Sequence, residues 1–251
     1  MNVLVTAGNT QAPIDKVRCV TNIFTGRTGA AIALEAHRRG HGVTLVTSHP
    51  DAVDKLHARL FGAPPLIERW SVRRYRTFDE LRQKLADLVP GAVFDAVVHS
   101  AAVSDYLCTG VYAPAEGTRF HAADNTWLGG DPPAVVDRAA AKVSSDEPEL
   151  WLRLAKAPKL VDFVRKDWGF RGVLVKFKLE VGVDDAALLD TAERSRRHSG
   201  ADLMVANTLE GSAMHAFLGP FADGYHRVGR ADLPARLVDA VEALHGKRPH
   251  G

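Results

Sequence analysis

Two short apolar runs, NVLVTAG at residues 2–8 and GVTLVTS at 42–48, bracket TGRTGAAIALEAHRRG at 25–40. The runs have the length and apolar character of buried strands. Between them, residues 27–39 place apolar side chains at helical spacing and close on Gly40, a C-terminal stop signal. Strand, glycine-rich turn, helix and strand in about 45 residues predict a right-handed βαβ crossover and a parallel sheet.

The alternation continues along the chain of 251 residues. Strands are expected at 66–72, 172–181 and 201–208, and residues 94–106 read as a strand running into a small-residue turn. Helices are expected at 78–89, at 158–168 opened by Pro158, at 184–199 and at 231–244. Segments 212–219 and 223–229 can pair across a turn. Residues 107–141, with the breaker GGDPPA at 129–134, read as an irregular insertion or flap within a single domain spanning 1–251. The fold class is therefore α/β: Rossmann-like, doubly wound, mostly parallel, with helices on both faces. Ligands are expected beyond the carboxyl ends of the strands.

Composition narrows the class. A net charge of +2, with 46% hydrophobic and 25% charged residues, fits a soluble globular chain and offers no field for nucleic acid or a membrane surface. No apolar run approaches the ~20 residues of a membrane span. Cys19 and Cys108 form neither a disulfide framework nor a metal set, and no metal-ligand cluster is read. With a strand beginning at once, a cytoplasmic setting is expected.

The turn before the first helix is the chemical clue. A helix N-terminus carries unpaired N–H groups and a positive dipole end, so Gly26 and Gly29 would let phosphate oxygens approach the backbone and Arg27 would add charge. GxGxxG is absent, since strand one runs into AGNTQAPID, and no P-loop pattern is present. Glycines used only for close packing are the alternative. The 18 residues between Ala7 and Gly26 form a long loop holding Asp15, Arg18 and Asn22, each able to bind a carboxylate or phosphate.

TAGNTQAPIDKVRCVTN followed by TGRTGAAIA resembles the opening of the phosphopantothenate–cysteine ligase (phosphopantothenoylcysteine synthetase) family. SAAVSDY (100–106), KVSSDEPELWLRLAKAPKLVDFV (142–164), VKFKLEV (175–181) and ADLMVANTLEG (201–211) are similar to it in the same order. The resemblance implies a ligase of coenzyme A biosynthesis. CTP or ATP, with Mg²⁺, activates the 4′-phosphopantothenate carboxylate as an acyl-nucleotidylate and releases pyrophosphate. The amine of L-cysteine then attacks to give the amide. The resemblance implies the stand-alone type, without the decarboxylase domain, so no FMN is expected; family members form homodimers.

Site roles follow from the same resemblance. Asn22 would hold the acyl carbonyl, and Lys142, on a flexible loop, would offset charge at the α-phosphate. Gly8, Gly26, Arg27 and Gly29 would surround phosphate. Ser100, Ala101 and Ala102 would let the nucleotide lie against backbone, with Asp105 at ribose or base. Lys156, Ala157 and Pro158 open the helix that faces the nucleotide. Phe177 would flank the base and Lys178 would meet phosphate. Arg194 and His198, four apart on one helix face, would reach the triphosphate. Arg18, Asn22 and Asn207 would contact the acyl substrate.

This chain departs from the family pattern at Asn9, where a glycine is usual, at His198, where lysine is common, and across 107–141. Two other readings stand beside the ligase: an NAD(P)-dependent Rossmann-fold reductase, and a catalytically silent nucleotide-binding relative.

Overall fold

The computed structural model describes residues 1–61, 68–91, 94–130 and 132–248. They form two compact units. The first contains Met1–Thr10, Ile23–Val103 and Lys159–Gly251, and the second Gln11–Asn22 and Ser104–Pro158. Elements are numbered along the chain across both units.

The first unit is built on an eight-stranded sheet. Its strands are β1 (Asn2–Ala7), β4 (Gly42–Thr47), β5 (Trp70–Arg74), β6 (Ala96–His99), β12 (Val173–Glu180), β13 (Leu203–Thr208), β14 (His215–Phe221) and β15 (Gly224–Gly229). The order is β15-β14-β13-β12-β6-β1-β4-β5. All pairs from β13 to β5 are parallel, while β13–β14 and β14–β15 are antiparallel. Ranked within this unit, the six parallel strands lie in the order 3-2-1-4-5-6, the doubly wound arrangement whose switch point lies between β1 and β6.

Burial explains the pattern. From Val3 to Ala7 every residue of β1 is buried, as a strand covered on both faces requires. Alternation then assigns the faces. Leu203 and Val205 join the cluster built with α1 (Arg27–Arg38) and α6 (Leu233–Gly246), whereas Met204 and Ala206 pack with Leu188 and Ala192 of α5 (Asp185–Ser199). The remaining helices are α2 (Pro50–Phe61), α3 (Phe78–Leu88) and α4 (Leu160–Lys166).

Local signals were mostly obeyed. Gly40 takes φ +86, its N–H bonds the carbonyl of His37 at 2.9 Å, and the N–H of His41 bonds that of Ala36 at 3.2 Å, so the glycine closes α1 in a Schellman motif. Thr77 caps α3 through the Glu80 N–H, and Asp184 caps α5 through the Ala187 N–H. Strand β5 begins at Trp70; residues 66 and 67 of the expected strand lie outside the described residues. Pro158 does not open α4, which starts at Leu160 after Lys159 at the cap position.

The second unit corrects the reading of 107–141 as irregular chain. Strand β7 (Tyr106–Pro114) pairs antiparallel with β10 (Val135–Asp137) on one side and β11 (Trp151–Lys156) on the other. Strands β8 (Arg119–His121) and β9 (Thr126–Leu128) form a hairpin, as do β2 (Gln11–Pro13) and β3 (Cys19–Thr21). Asp131, inside the expected breaker, lies outside the described residues. Among the described residues no helix is long and apolar enough to cross a membrane.

Candidate functional site

In the first unit, the expected residues meet at the carboxyl ends of β1 and β6. Gly8 leaves β1 with φ +91, and a Cβ there would lie 2.1 Å from the Ser48 Oγ. Gly26 has φ +78, and its Cβ would lie 2.1 Å from the backbone nitrogen of Gly8. A Cβ on Gly29 would meet the Ser100 Oγ at 2.4 Å and the Ala7 Cβ at 2.8 Å. These glycines let the start of α1 press onto the ends of β1 and β6. The close-packing reading therefore holds at Gly26 and Gly29, and it has a chemical consequence. It seats a helix N-terminus at the switch point with no side-chain cap and no acid in its first turn. Such an end presents free N–H groups to an anion.

Exposed Arg27 adds charge there, and so does a residue the sequence reading missed. The half-buried Arg230 guanidinium donates to the Thr28 hydroxyl in the first turn of α1. Nothing in the sequence around Arg230 marked it, because its partner is 202 residues away.

A polar lattice fixes the small-residue turn after β6. The Ser100 hydroxyl donates to the Thr6 carbonyl at 2.6 Å, and the Ala101 N–H donates to the Thr6 hydroxyl at 3.1 Å. The Ala102 N–H reaches the Gly8 carbonyl at 2.8 Å, and the Thr10 N–H reaches the Ala102 carbonyl at 3.3 Å. Thr6 Oγ1 also lies 3.2 Å from His99 Nδ1. Burial above all, then the charge of Lys176, pushes the His99 imidazole down to about 4, so it is neutral near pH 7. A neutral ring carries one donor and one acceptor nitrogen, and its tautomer sets which way this bond runs.

The departure at Asn9 has a local account. Its N–H donates to the Ser48 Oγ at 2.9 Å, and the Ser48 hydroxyl lies 3.2 Å from the Asn9 side-chain oxygen. A glycine would lack that second anchor.

Other expected residues of this unit lie on β12, β13 and α5. On β12, Phe177 is half-buried against the main core and Lys178 pairs with Glu180 at 2.9 Å. Asn207 on β13 is in register with Leu179. Arg194 binds Asp190 and the Thr191 hydroxyl, and His198 lies 3.2 Å from Asp162 of α4. Both basic residues on α5 therefore face carboxylates of this same unit.

In the second unit, Asp105, Lys156 and Ala157 come together. Lys156 is in register with Tyr106, and the Ala157 N–H donates to the Asp105 carbonyl at 2.8 Å. Asp105, Lys156 and Pro158 are exposed while Ala157 is buried. Asn22 follows β3 directly and is half-buried. Arg18 is engaged with Asp15 at 2.8 Å and with the Val143 carbonyl at 2.6 Å, beside exposed Lys142.

Residues 1–114 match the family of the DNA/pantothenate metabolism flavoprotein C-terminal domain. Over 247 residues the chain is 31% identical to the coenzyme A biosynthesis bifunctional protein CoaBC of Thermococcus kodakarensis, a match covering 96% of this chain and 51% of that protein. The chain is thus similar to this flavoprotein C-terminal domain family over its first 114 residues. A second relative, the CoaBC protein of Methanocaldococcus jannaschii, is 26% identical over 251 residues, or 96% of this chain and 50% of the relative. The chain thus spans about half the length of the curated relatives it matches. The crystal structure of the DNA/pantothenate metabolism flavoprotein from Streptococcus pneumoniae is similar, with a TM-score of 0.74 at 26% identity, covering 97% of this chain and 99% of that one. A Cab2 mutant in complex with phosphopantothenate-cysteine shares the fold, with a TM-score of 0.67 at 17% identity over 98% of this chain and 86% of that one.

Proposed function

We propose that the chain is a phosphopantothenate–cysteine ligase that uses CTP or ATP to activate the 4′-phosphopantothenate carboxylate. The observation that carries this reading is the likeness to CoaBC proteins over 96% of the chain. The uncapped, acid-free start of α1, flanked by Arg27 and Arg230, supports a phosphate-binding role for the first unit.

A carboxylate is a poor acyl donor because its leaving group would be oxide. Attack of a carboxylate oxygen on the α-phosphorus forms a mixed anhydride and expels pyrophosphate. The cysteine amine then attacks the acyl carbon, the nucleoside monophosphate leaves, and the amine loses a proton. In this account Asn22 donates its amide N–H to the acyl oxygen, where negative charge grows as the amine adds. Lys142 offsets charge at the α-phosphate. Asp105 binds a ribose hydroxyl or a base amine. Ser100, Ala101 and Ala102 give the nucleotide a flat backbone surface. Phe177 flanks the base, with Lys178, Arg194 and His198 as further phosphate contacts. Arg18 and Asn207 contact the acyl substrate.

Mg²⁺ fits this account as a companion of the triphosphate. Among the described residues no group of three or more His, Cys, Asp and Glu is gathered to hold a metal. Its ligands would then be phosphate oxygens and water, whose charge it screens. A cytoplasmic homodimer is part of the reading, supported by exposed Val181, Leu209 and Met214 on the first unit.

The strand order, shared with dinucleotide-binding sheets, favours one rival, an NAD(P)-dependent reductase. Thermal unfolding with CTP, ATP, NADPH and FMN in turn separates the two, because a ligand of the folded state raises the midpoint by mass action. A rise with CTP or ATP supports the ligase. A rise with NADPH alone replaces it.

A further inference from the structure

The hairpin β2–β3 ends in a turn at residues 14–18, closed by the N–H groups of Ile14 and Asp15 on the Arg18 carbonyl at 2.8 and 3.2 Å. Inside the turn, the Asp15 side chain is fully covered. Its Oδ1 accepts the backbone N–H groups of Val17 at 2.8 Å and Arg18 at 2.7 Å. Its Oδ2 accepts Arg18 Nε at 3.1 Å, Arg18 Nη2 at 2.8 Å and the Val143 N–H at 3.0 Å. The Val143 and Val17 N–H groups, in that order, hold this carboxyl well below the usual carboxylate range, so it is ionised at any working pH.

The same turn grips the chain on both sides of Lys142. The Lys16 N–H donates to the Ala141 carbonyl at 3.1 Å, and Arg18 Nη2 donates to the Val143 carbonyl at 2.6 Å. Val143 is itself buried, at 2% exposure, while Lys142 is exposed. Both backbone flanks of the lysine are therefore held, and its side chain is left outside the clasp. At the other end of β3, three residues on, stands Asn22. One hairpin thus carries one proposed catalytic residue and holds the chain at the other.

We propose that Asp15 is a positioning residue that presets the backbone at Lys142 for the activation step, with Arg18 as the second jaw of the clasp. The proposal rests on the reading of Lys142 given above. A long, flexible lysine on a loose loop loses chain entropy each time it closes on a triphosphate, and a clasp built into the folded unit removes much of that cost. Charge-assisted bonds from one carboxylate to three N–H groups of the backbone suit that task.

The test pairs hydrogen exchange with kinetics on Asp15→Asn. Amides at 16–18 and 141–144 should exchange roughly tenfold faster or more, while those of β1 and β4 stay at wild-type rates. Pyrophosphate release at saturating nucleotide should slow roughly tenfold, with the nucleotide KM within about twofold. Unchanged exchange at Val143, or faster exchange with a wild-type rate, overturns the proposal. If Asp15→Asn also loosens β1, hydrogen exchange in Arg18→Lys reads the clasp instead, since an ammonium cannot span the Asp15 carboxylate and the Val143 carbonyl as the guanidinium does, and wild-type exchange at 141–144 there overturns the proposal. Lys142→Gln keeps the two claims apart: full rate there removes the role of Lys142, and with it the catalytic use of the clasp, while exchange in Asp15→Asn still reports on the clasp itself.

Discussion

The Asp15 carboxylate accepts the backbone N–H of Val143 at 3.0 Å, joining residues 128 positions apart. The bond fixes the chain next to Lys142, the lysine expected to meet the triphosphate. Removing its charge should therefore act on the first chemical step. Lys142→Gln is expected to slow pyrophosphate release roughly 10²-fold, the order of loss for one charge-stabilising donor, with nucleotide binding retained. Rapid-quench measurement of pyrophosphate checks this; a wild-type burst contradicts it.

Asn22 is proposed to act in the second step, where oxyanion charge grows on the acyl oxygen. Asn22→Asp is nearly isosteric but places a carboxylate there. Amide product should fall by roughly 10²- to 10³-fold while the acyl-nucleotidylate still forms. Trapping the intermediate by mass spectrometry reads this directly. Equal loss of intermediate and product would move Asn22 to an earlier role.

Gly29 makes a purely structural prediction. Alanine there gains helix propensity of about 1 kcal/mol but drives its methyl into the Ser100 hydroxyl and the Ala7 methyl. Overpacking should win, destabilising the chain by roughly 1–3 kcal/mol in urea unfolding. An unchanged or raised midpoint would show that α1 sits farther from β1 and β6.

His99 ties stability to pH. Its folded value is about 4 against 6.5 for the free side chain. Between these, the unfolded chain binds a proton that the folded chain does not, so stability rises with pH across that window and falls on acidification. From about pH 7 to about pH 5 this one group should remove roughly 2 kcal/mol, a loss that His99→Gln should lack. Urea unfolding of both proteins at the two pH values checks it; parallel losses would contradict it.

How much of this was legible follows from where the constraints lie. The first βαβ unit was readable because β1 is mostly apolar, α1 keeps helical spacing and Gly40 marks its end. The strands of the second unit were not. In β7 only Val111 and Ala113 are fully buried, and Gly110 and Pro114 read as breakers, so nothing in YLCTGVYAP separates a strand from a loop. Strands β8, β9 and β10 are three residues each, too short for periodicity. Helix α2 was passed over although Pro50 and Asp51 suit a helix start. At the site, the sequence marked Gly26 and Gly29 but not their contacts, and it marked Arg18 as a ligand contact without showing its bonds to Asp15 and Val143. Long-range pairs such as Asp15–Val143 and Thr28–Arg230 leave no local trace.

The most direct measurement incubates the purified chain with Mg²⁺, 4′-phosphopantothenate, L-cysteine and either CTP or ATP, and follows pyrophosphate and amide product together. The account predicts that one nucleotide yields both in equal amounts, and that leaving out phosphopantothenate abolishes pyrophosphate release. Product accompanied by nucleoside diphosphate and inorganic phosphate, or no turnover with either nucleotide, would contradict it.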